Sequence, residues 1–161
     1  MYKKQNRNWY WMVIGLGLLL ALAACGGAPK VEWTLEISGA VDTPLTLDYA
    51  TLVQLEQVDL TDVLMQKSLG EDEVASWSGP AVDELFKKAG VGEYSTITAT
   101  AADGYAIDIT RDELQGAIIA LKKDDKWITE AEPDKGPIRL VCPQTPANRW
   151  VFQIQKIQVN P

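Results

Sequence analysis

The segment Trp77-Ser78-Gly79-Pro80-Ala81-Val82-Asp83-Glu84-Leu85-Phe86-Lys87-Lys88-Ala89-Gly90 predicts an extended chain that turns sharply into a helix. Pro80 suits the first turn of a helix, where its missing N–H has no partner to lose. Gly90 follows two lysines and is predicted to end the helix. One face of this helix is predicted to be buried, because apolar residues recur at positions i, i+3, i+4 and i+7, namely Val82, Leu85, Phe86 and Ala89.

The chain on both sides of this helix is predicted to form short strands and turns. Strands are expected where apolar and polar residues alternate between turn-forming residues. Asp48 is predicted to cap a brief helix, and Thr110 with Glu113 forms a capping box. The predicted elements are a strand at 33–38, a helix at 48–55, strands at 58–65 and 74–77 around a solvated acidic turn at 70–73, strands at 96–100 and 105–109, a short helix opened by 110–113, and strands at 117–121 and 138–142.

A polar stretch, residues 122–135, interrupts this pattern and is predicted to be a solvated excursion. It carries Trp127, a large aromatic residue with no obvious core to join. Trp127 is therefore a candidate for covering a planar ligand or a partner surface.

The last segment changes the parity of its apolar residues. Trp150, Phe152 and Ile154 share one parity, whereas Ile157 and Val159 take the other. A β-bulge near residues 155–156 would return all of them to one face. Many short strands with three short helices predict an α+β domain whose strands are mainly antiparallel.

The N-terminal 25 residues have the pattern of a bacterial lipoprotein leader. Basic residues precede an apolar run that ends in Leu22-Ala23-Ala24-Cys25, and Gly26 follows. Cleavage before Cys25 would make its sulfur the lipid attachment point, and the alternative is a signal anchor with a free Cys25 thiol. The predicted organisation is a signal peptide at 1–24, a lipidated tether at 25–30 and a folded domain at 31–161, held outside the cytoplasm on the bacterial cell membrane.

Charge and composition exclude several classes of function. Without residues 1–24 the chain has 12 Lys and Arg against 22 Asp and Glu, which argues against a nucleic-acid partner. The chain has no histidine, so a Ser-His-Asp triad, a His-ligated zinc site and bis-His haem are not expected. Once Cys25 carries lipid, Cys142 is the single thiol and no intramolecular disulfide can form.

Five motifs in order resemble the molybdopterin-binding oxidoreductase domain of the sulfite oxidase family. They are Leu35-Glu36-Ile37-Ser38-Gly39, the segment from Trp77 to Gly90, Asp103-Gly104-Tyr105, Gly136-Pro137-Ile138-Arg139-Leu140-Val141-Cys142-Pro143, and Arg149-Trp150-Val151. The resemblance implies a sulfite-oxidase-type molybdopterin-binding fold that holds a pterin in a pocket lined by loops.

The chain departs from the family where catalytic members place a molybdenum-binding cysteine. Residues 45–77 contain no cysteine, and Cys142 lies in an apolar strand where a small buried hydrophobe is the favoured interpretation. This argues against molybdenum and against catalysis. The favoured hypothesis is a non-catalytic binding domain for a pterin or a molybdopterin-like ligand that acts with a partner, such as a membrane protein. The alternatives are an oxidoreductase with atypical metal ligation and a ligand-free structural subunit of a membrane complex.

The resemblance also selects candidate ligand-binding residues. Asp103, Gly104 and Tyr105 are expected at the pocket rim, where Asp103 could accept from the amino-pyrimidine edge of a pterin, although Asp-Gly is also an ordinary hairpin turn. Asn148 and Arg149 are expected beside the ligand, and Arg149 is predicted to be exposed and to contact a ligand oxygen or phosphate.

Two further candidates have structural alternatives that are favoured. Arg139 lies inside an apolar strand, where a salt bridge is the preferred interpretation and a ligand contact is the other. Trp150 matches a family position but is more often a packing residue than a ligand contact.

Overall fold

The computed structural model describes residues 27–161. The predicted signal peptide and the lipidation site Cys25 lie outside the described residues. No helix within 27–161 is long and apolar enough to cross a membrane.

Twelve short strands and three short helices make up the described part of the chain. They are β1 Thr34–Gly39, β2 Leu45–Asp48, α1 Tyr49–Gln54, β3 Val58–Met65, β4 Glu73–Gly79, α2 Val82–Ala89, β5 Thr96–Ala101, β6 Ala106–Thr110, β7 Ile118–Ala120, β8 Lys122–Lys123, β9 Lys126–Trp127, α3 Ile128–Ala131, β10 Arg139–Val141, β11 Val151–Phe152 and β12 Ile154–Asn160, with a 3₁₀ turn at Ala147–Arg149 before β11.

The strands form three sheets. One has the order β2-β1-β12-β5-β6, the second β11-β10-β7 and the third β3-β4-β8-β9. Only the β1–β12 pair is parallel among the described strand pairs. The predicted α+β class with mainly antiparallel strands is therefore confirmed.

The two longer helices follow their sequence signals closely. Asp48 caps α1 by accepting a hydrogen bond from the Thr51 N–H at 2.7 Å. The four apolar residues of α2 are all buried, and Gly90 ends this helix in the left-handed conformation at φ +67°. The position predicted for Pro80 is wrong by two residues: α2 begins at Val82 after Ala81, because the Pro80 carbonyl accepts from the Ile119 N–H of β7.

The short helix predicted to open at 110–113 is absent, although its capping box is present. Thr110 N–H donates to Glu113 Oε2 at 2.8 Å, and Glu113 N–H donates to Thr110 Oγ1 at 3.3 Å. Residues 111–116 form turns instead of a helix. The reason is length, because β7 begins at Ile118 and leaves too few residues for a stable helix.

Residues 122–135 are more ordered and more buried than predicted. They form the β8–β9 hairpin and α3, and β8 pairs with β4. Trp127 is half-buried, with its ring 6.4 Å from that of Tyr49 and the Lys122 Nζ 4.5 Å from its centroid. The prediction that this stretch is solvated and that Trp127 packs against nothing is wrong, because β8 pairs with β4 and β9 pairs with β8.

The predicted bulge in the last strand is confirmed. The register between β12 and β5 shifts between Ile154 and Lys156. Ile154, Ile157 and Val159 are consequently all buried despite their different parity. A bulge thus restores one apolar face to β12.

Candidate functional site

A pocket of about 350 Å³ lies between the β5–β6 turn and the 3₁₀ turn that leads into β11. The Ala102 N–H, directly after β5, donates to the carbonyl of Gln153, directly after β11, at 2.9 Å. This hydrogen bond joins the two segments at the pocket. The pocket is lined by Ala101, Asp103, Tyr105, Ala147, Asn148, Trp150 and Phe152. Four predicted site residues, Asp103, Tyr105, Asn148 and Trp150, are therefore brought together.

The β5–β6 turn presents its side chains to this pocket. Gly104 takes φ +86°, a conformation that other residues adopt only with strain. Oδ1 of Asp103 accepts from the Tyr105 N–H at 2.9 Å, while Oδ2 has no donor among the described residues. Tyr105 is 49 % exposed. The turn is thus a regular hairpin turn that also leaves one carboxylate oxygen and one phenol available.

Trp150 and Asn148 form the opposite wall. The Trp150 Nε1–H donates to the Cys142 carbonyl at 2.8 Å, and its ring meets that of Trp77 edge to face at 5.7 Å between centroids. Trp150 therefore supplies apolar surface but no free donor. Asn148 is exposed, and its amide has no hydrogen bond to a described residue.

Arg149 does not line the pocket and is half-buried, contrary to the prediction that it is exposed and free to meet a ligand. Its Nε donates to Glu113 Oε1 at 2.9 Å, and Nη2 donates to Glu113 Oε2 at 2.8 Å. Nη2 also donates to the Asp108 carbonyl at 2.7 Å. The hydrogen bonds between the two side chains raise the pKa of Arg149 and lower the pKa of Glu113. The guanidinium is committed to an internal ion pair because Glu113 matches its fork geometry.

Arg139 is fully buried and does not line the pocket. Its Nη2 lies 2.7 Å from Glu132 Oε2, as the salt-bridge alternative predicts. The guanidinium carbon lies 4.6 Å from the Trp77 ring centroid and 4.0 Å from that of Phe152, so Arg139 supports the pocket wall from behind. Burial lowers the pKa of Arg139 to about 10, which leaves it charged at neutral pH.

Two acidic residues near Arg139 have roles that the sequence did not reveal. Glu73 was assigned to a solvated turn, but its carboxylate pairs with Lys123 and lies 2.9 Å from Lys67 Nζ. Hydrogen bonds from these lysines lower the pKa of Glu73 to about 2. Burial acts to raise the pKa of Glu132, but the charge of Arg139 and a hydrogen bond from Lys135 outweigh it, and the pKa is lowered.

Sequence reasoning also missed Phe152 as a pocket residue. Its parity with Trp150 and Ile154 predicted a core position, yet it is 38 % exposed. Gln153 takes φ +48°, which turns the chain between β11 and β12 and directs Phe152 outward. No signal in the local sequence marks this reversal.

The comparisons with known proteins agree with this geometry. The model of the oxidoreductase molybdopterin binding domain matches residues 25–161. The chain belongs to this molybdopterin-binding family. It is similar to a nitrate reductase [NADH] of Volvox carteri, with 25% identity over 174 residues, covering 84% of this chain and 20% of that protein. The sulfane dehydrogenase SoxCD of Paracoccus pantotrophus has the same fold, with a TM-score of 0.68, 18% identity and coverage of 83% of this chain and 40% of the other.

This member of the molybdopterin-binding family spans only a fraction of those two relatives. The predicted sulfite-oxidase-type fold is confirmed, because a matched family and a solved structure agree on it. The named relatives are a reductase and a dehydrogenase, each much longer than the described domain.

The pocket residues do not fit a molybdenum centre. Cys142 is the one thiol in the described part of the chain, and it is fully buried and does not line the pocket. Burial raises its pKa to about 12, so a thiolate is not available there. Within residues 27–161 no group of three His, Cys, Asp or Glu residues could hold a metal ion.

Proposed function

We propose that this member of the molybdopterin-binding family is a membrane-tethered, extracytoplasmic domain that binds a pterin-like molecule, does not catalyse a redox reaction and acts with a partner protein. The proposal is carried by the lining of the pocket, which combines aromatic rings with one carboxylate and one amide and contains no thiol.

The lining has the chemistry that a pterin needs. A pterin is a flat bicyclic heterocycle whose amino-pyrimidine edge carries adjacent N–H donors. Oδ2 of Asp103 can accept from that edge in a charge-assisted hydrogen bond, and the Asn148 amide can both donate and accept. Tyr105 and Phe152 offer exposed aromatic surface to the ring system, whereas the Trp150 ring is buried and contributes little. The volume of about 350 Å³ suits a small heterocycle.

The lack of a reactive thiol supports a binding role. The family resemblance implies that catalytic members hold molybdenum through a cysteine thiolate, and the Cys142 sulfur is both protonated and enclosed. Asp103, Tyr105 and Asn148 are exposed at the pocket rim. A bound pterin would change the surface that a partner protein contacts there.

The tether rests on the sequence alone. The pattern before Cys25 is that of a lipoprotein leader, and acyl chains would hold the domain at the membrane surface. The acidic domain would not adsorb to anionic headgroups by itself, because it lacks an excess of positive charge.

The test is to purify the full chain from its native host and to identify bound small molecules by native mass spectrometry and pterin fluorescence. A stoichiometric pterin is expected. A pocket that is empty and also fails to bind added pterins overturns the proposal, and crosslinking to one stable partner would then favour a structural subunit.

The second candidate is an oxidoreductase with atypical metal ligation. It is favoured by the two relatives, whose names are those of a reductase and a dehydrogenase. Elemental analysis of the native protein separates the two candidates, since stoichiometric molybdenum would overturn the non-catalytic role.

A further inference from the structure

The Glu113–Arg149 ion pair lies directly beside the pocket. Arg149 stands in the chain between Asn148 and Trp150, which both line the pocket. An unpaired guanidinium at this place would attract an anionic substituent of the ligand. Glu113 neutralises this charge, because it accepts from both Nε and Nη2 of Arg149.

Glu113 is itself held in place for this role. Oε2 accepts from the Thr110 N–H at 2.8 Å and from Thr110 Oγ1 at 3.1 Å, in addition to the contact with Arg149. The capping-box residues that form no helix therefore position the carboxylate. A ligand phosphate would have to break several hydrogen bonds to displace it.

The other cations near the pocket are also paired. Arg139 and Lys135, both close to the Phe152 ring, lie 2.7 Å and 3.1 Å from carboxylate oxygens of Glu132. Lys67 lines a neighbouring groove that shares Asn148, and it pairs with Glu73. The one charged side chain that lines the pocket itself is the carboxylate of Asp103.

We propose that the pocket selects an unphosphorylated pterin over a pterin phosphate ester, because Glu113 neutralises Arg149 and Asp103 repels a second negative charge. This inference rests on the proposed function and names its ligand class. A phosphate ester carries about −1.5 to −2 charges at pH 7, and its burial beside Asp103 without a free cation is unfavourable. The site therefore does not fit the phosphate of molybdopterin itself.

The experiment compares 6-hydroxymethylpterin with its phosphate ester, which differ only in the phosphate, by fluorescence titration of the full chain at low ionic strength. The unphosphorylated pterin is expected to bind at least about tenfold more tightly. Binding of the ester is expected to strengthen as salt is added, because salt screens repulsion.

Two charge variants test the role of the ion pair. Glu113→Gln frees Arg149 and is expected to raise the affinity for the ester about tenfold, with little change for the unphosphorylated pterin. Arg149→Gln, which changes the charge in the opposite direction, is expected to weaken ester binding further. Thermal unfolding of both variants checks that they are folded, and the salt dependence of the unmodified chain tests the inference without any substitution.

The outcomes separate this inference from the proposed function. If the ester binds the unmodified chain as tightly as the unphosphorylated pterin, or loses affinity with added salt, the inference is overturned while pterin binding stands. A folded Glu113→Gln variant with no gain for the ester also overturns it. Binding of neither compound overturns both.

Discussion

The guanidinium of Arg139 and the carboxylate of Glu132 lie 2.7 Å apart, and Arg139 has no exposure to solvent. Glu132 also lies 3.4 Å from Lys123 Nζ and 3.1 Å from Lys135 Nζ. Nε and Nη1 of Arg139 have no hydrogen-bond partner among the described residues. One carboxylate thus compensates a buried arginine that already has unsatisfied donors.

Glu132→Gln is expected to destabilise the domain by about 3 kcal/mol, because it leaves a buried guanidinium uncompensated. Arg139→Leu should cost less, since Glu132 keeps its two lysines, and it should lower stability more than pterin affinity. Urea denaturation measures both. Glu36→Gln, which breaks the exposed pair with Lys156, is the control and should leave the free energy of unfolding unchanged. Equal small effects from all three substitutions would contradict this account.

Glu73 is expected to make the domain sensitive to acid. Its pKa falls from 4.5 to about 2 on folding, so its stabilisation is complete above the unfolded value and is lost as pH decreases from 4.5 towards 2. After allowance for solvent screening the loss is about 1 kcal/mol. Melting temperatures should therefore decline more steeply over this window in the unmodified chain than in Glu73→Gln. Parallel curves for the two proteins would show that Glu73 does not contribute.

Asp103→Asn is expected to weaken pterin binding by about 1.5 to 3 kcal/mol, the range for hydrogen bonds to charged groups. The melting temperature should hardly change, because an amide oxygen can still accept from the Tyr105 N–H. Fluorescence titration measures the affinity. The control is Asp112→Asn, an equal change of charge on an exposed residue outside the pocket. An affinity loss of the same size in both variants would indicate a general electrostatic effect.

Gly79→Ala is expected to destabilise the domain by roughly 3 kcal/mol through overpacking. A Cβ atom on Gly79 would lie 2.0 Å from the Ile119 carbonyl oxygen and 2.8 Å from the Ala120 Cα atom. Chemical denaturation gives the free energy of unfolding. Gly92→Ala is the matched control, because a Cβ there meets no atom within 4 Å. Retention of full stability by Gly79→Ala would mean that β7 can move away from β4.

Cys25→Ser is expected to leave the leader uncleaved or the protein mislocalised, because a hydroxyl cannot form the thioether to lipid. Membrane fractionation and the mass of the mature chain give the result. Normal processing together with normal membrane retention would show that the leader works by another route.

Local chemistry was sufficient to predict most elements of the fold. The periodicity of α2, the cap at Asp48, the left-handed Gly90 and the bulge in β12 depend on residues close in sequence, and the structure agrees with each. The order of five motifs identified the family. The pocket was also predicted in part, because Asp103, Tyr105 and Trp150 lie in motifs of the family and Asn148 directly precedes one of them.

Only the tertiary structure decided which charges are free and why Gly79 is a glycine. Arg149 and Glu113 are 36 residues apart, and Lys123 and Glu73 are 50 apart, so no local pattern pairs them. The close approach of β7 to Gly79 likewise depends on strands far apart in the chain. Sequence periodicity reports which face of an element is buried, whereas the partner of a charge is fixed only when distant strands meet.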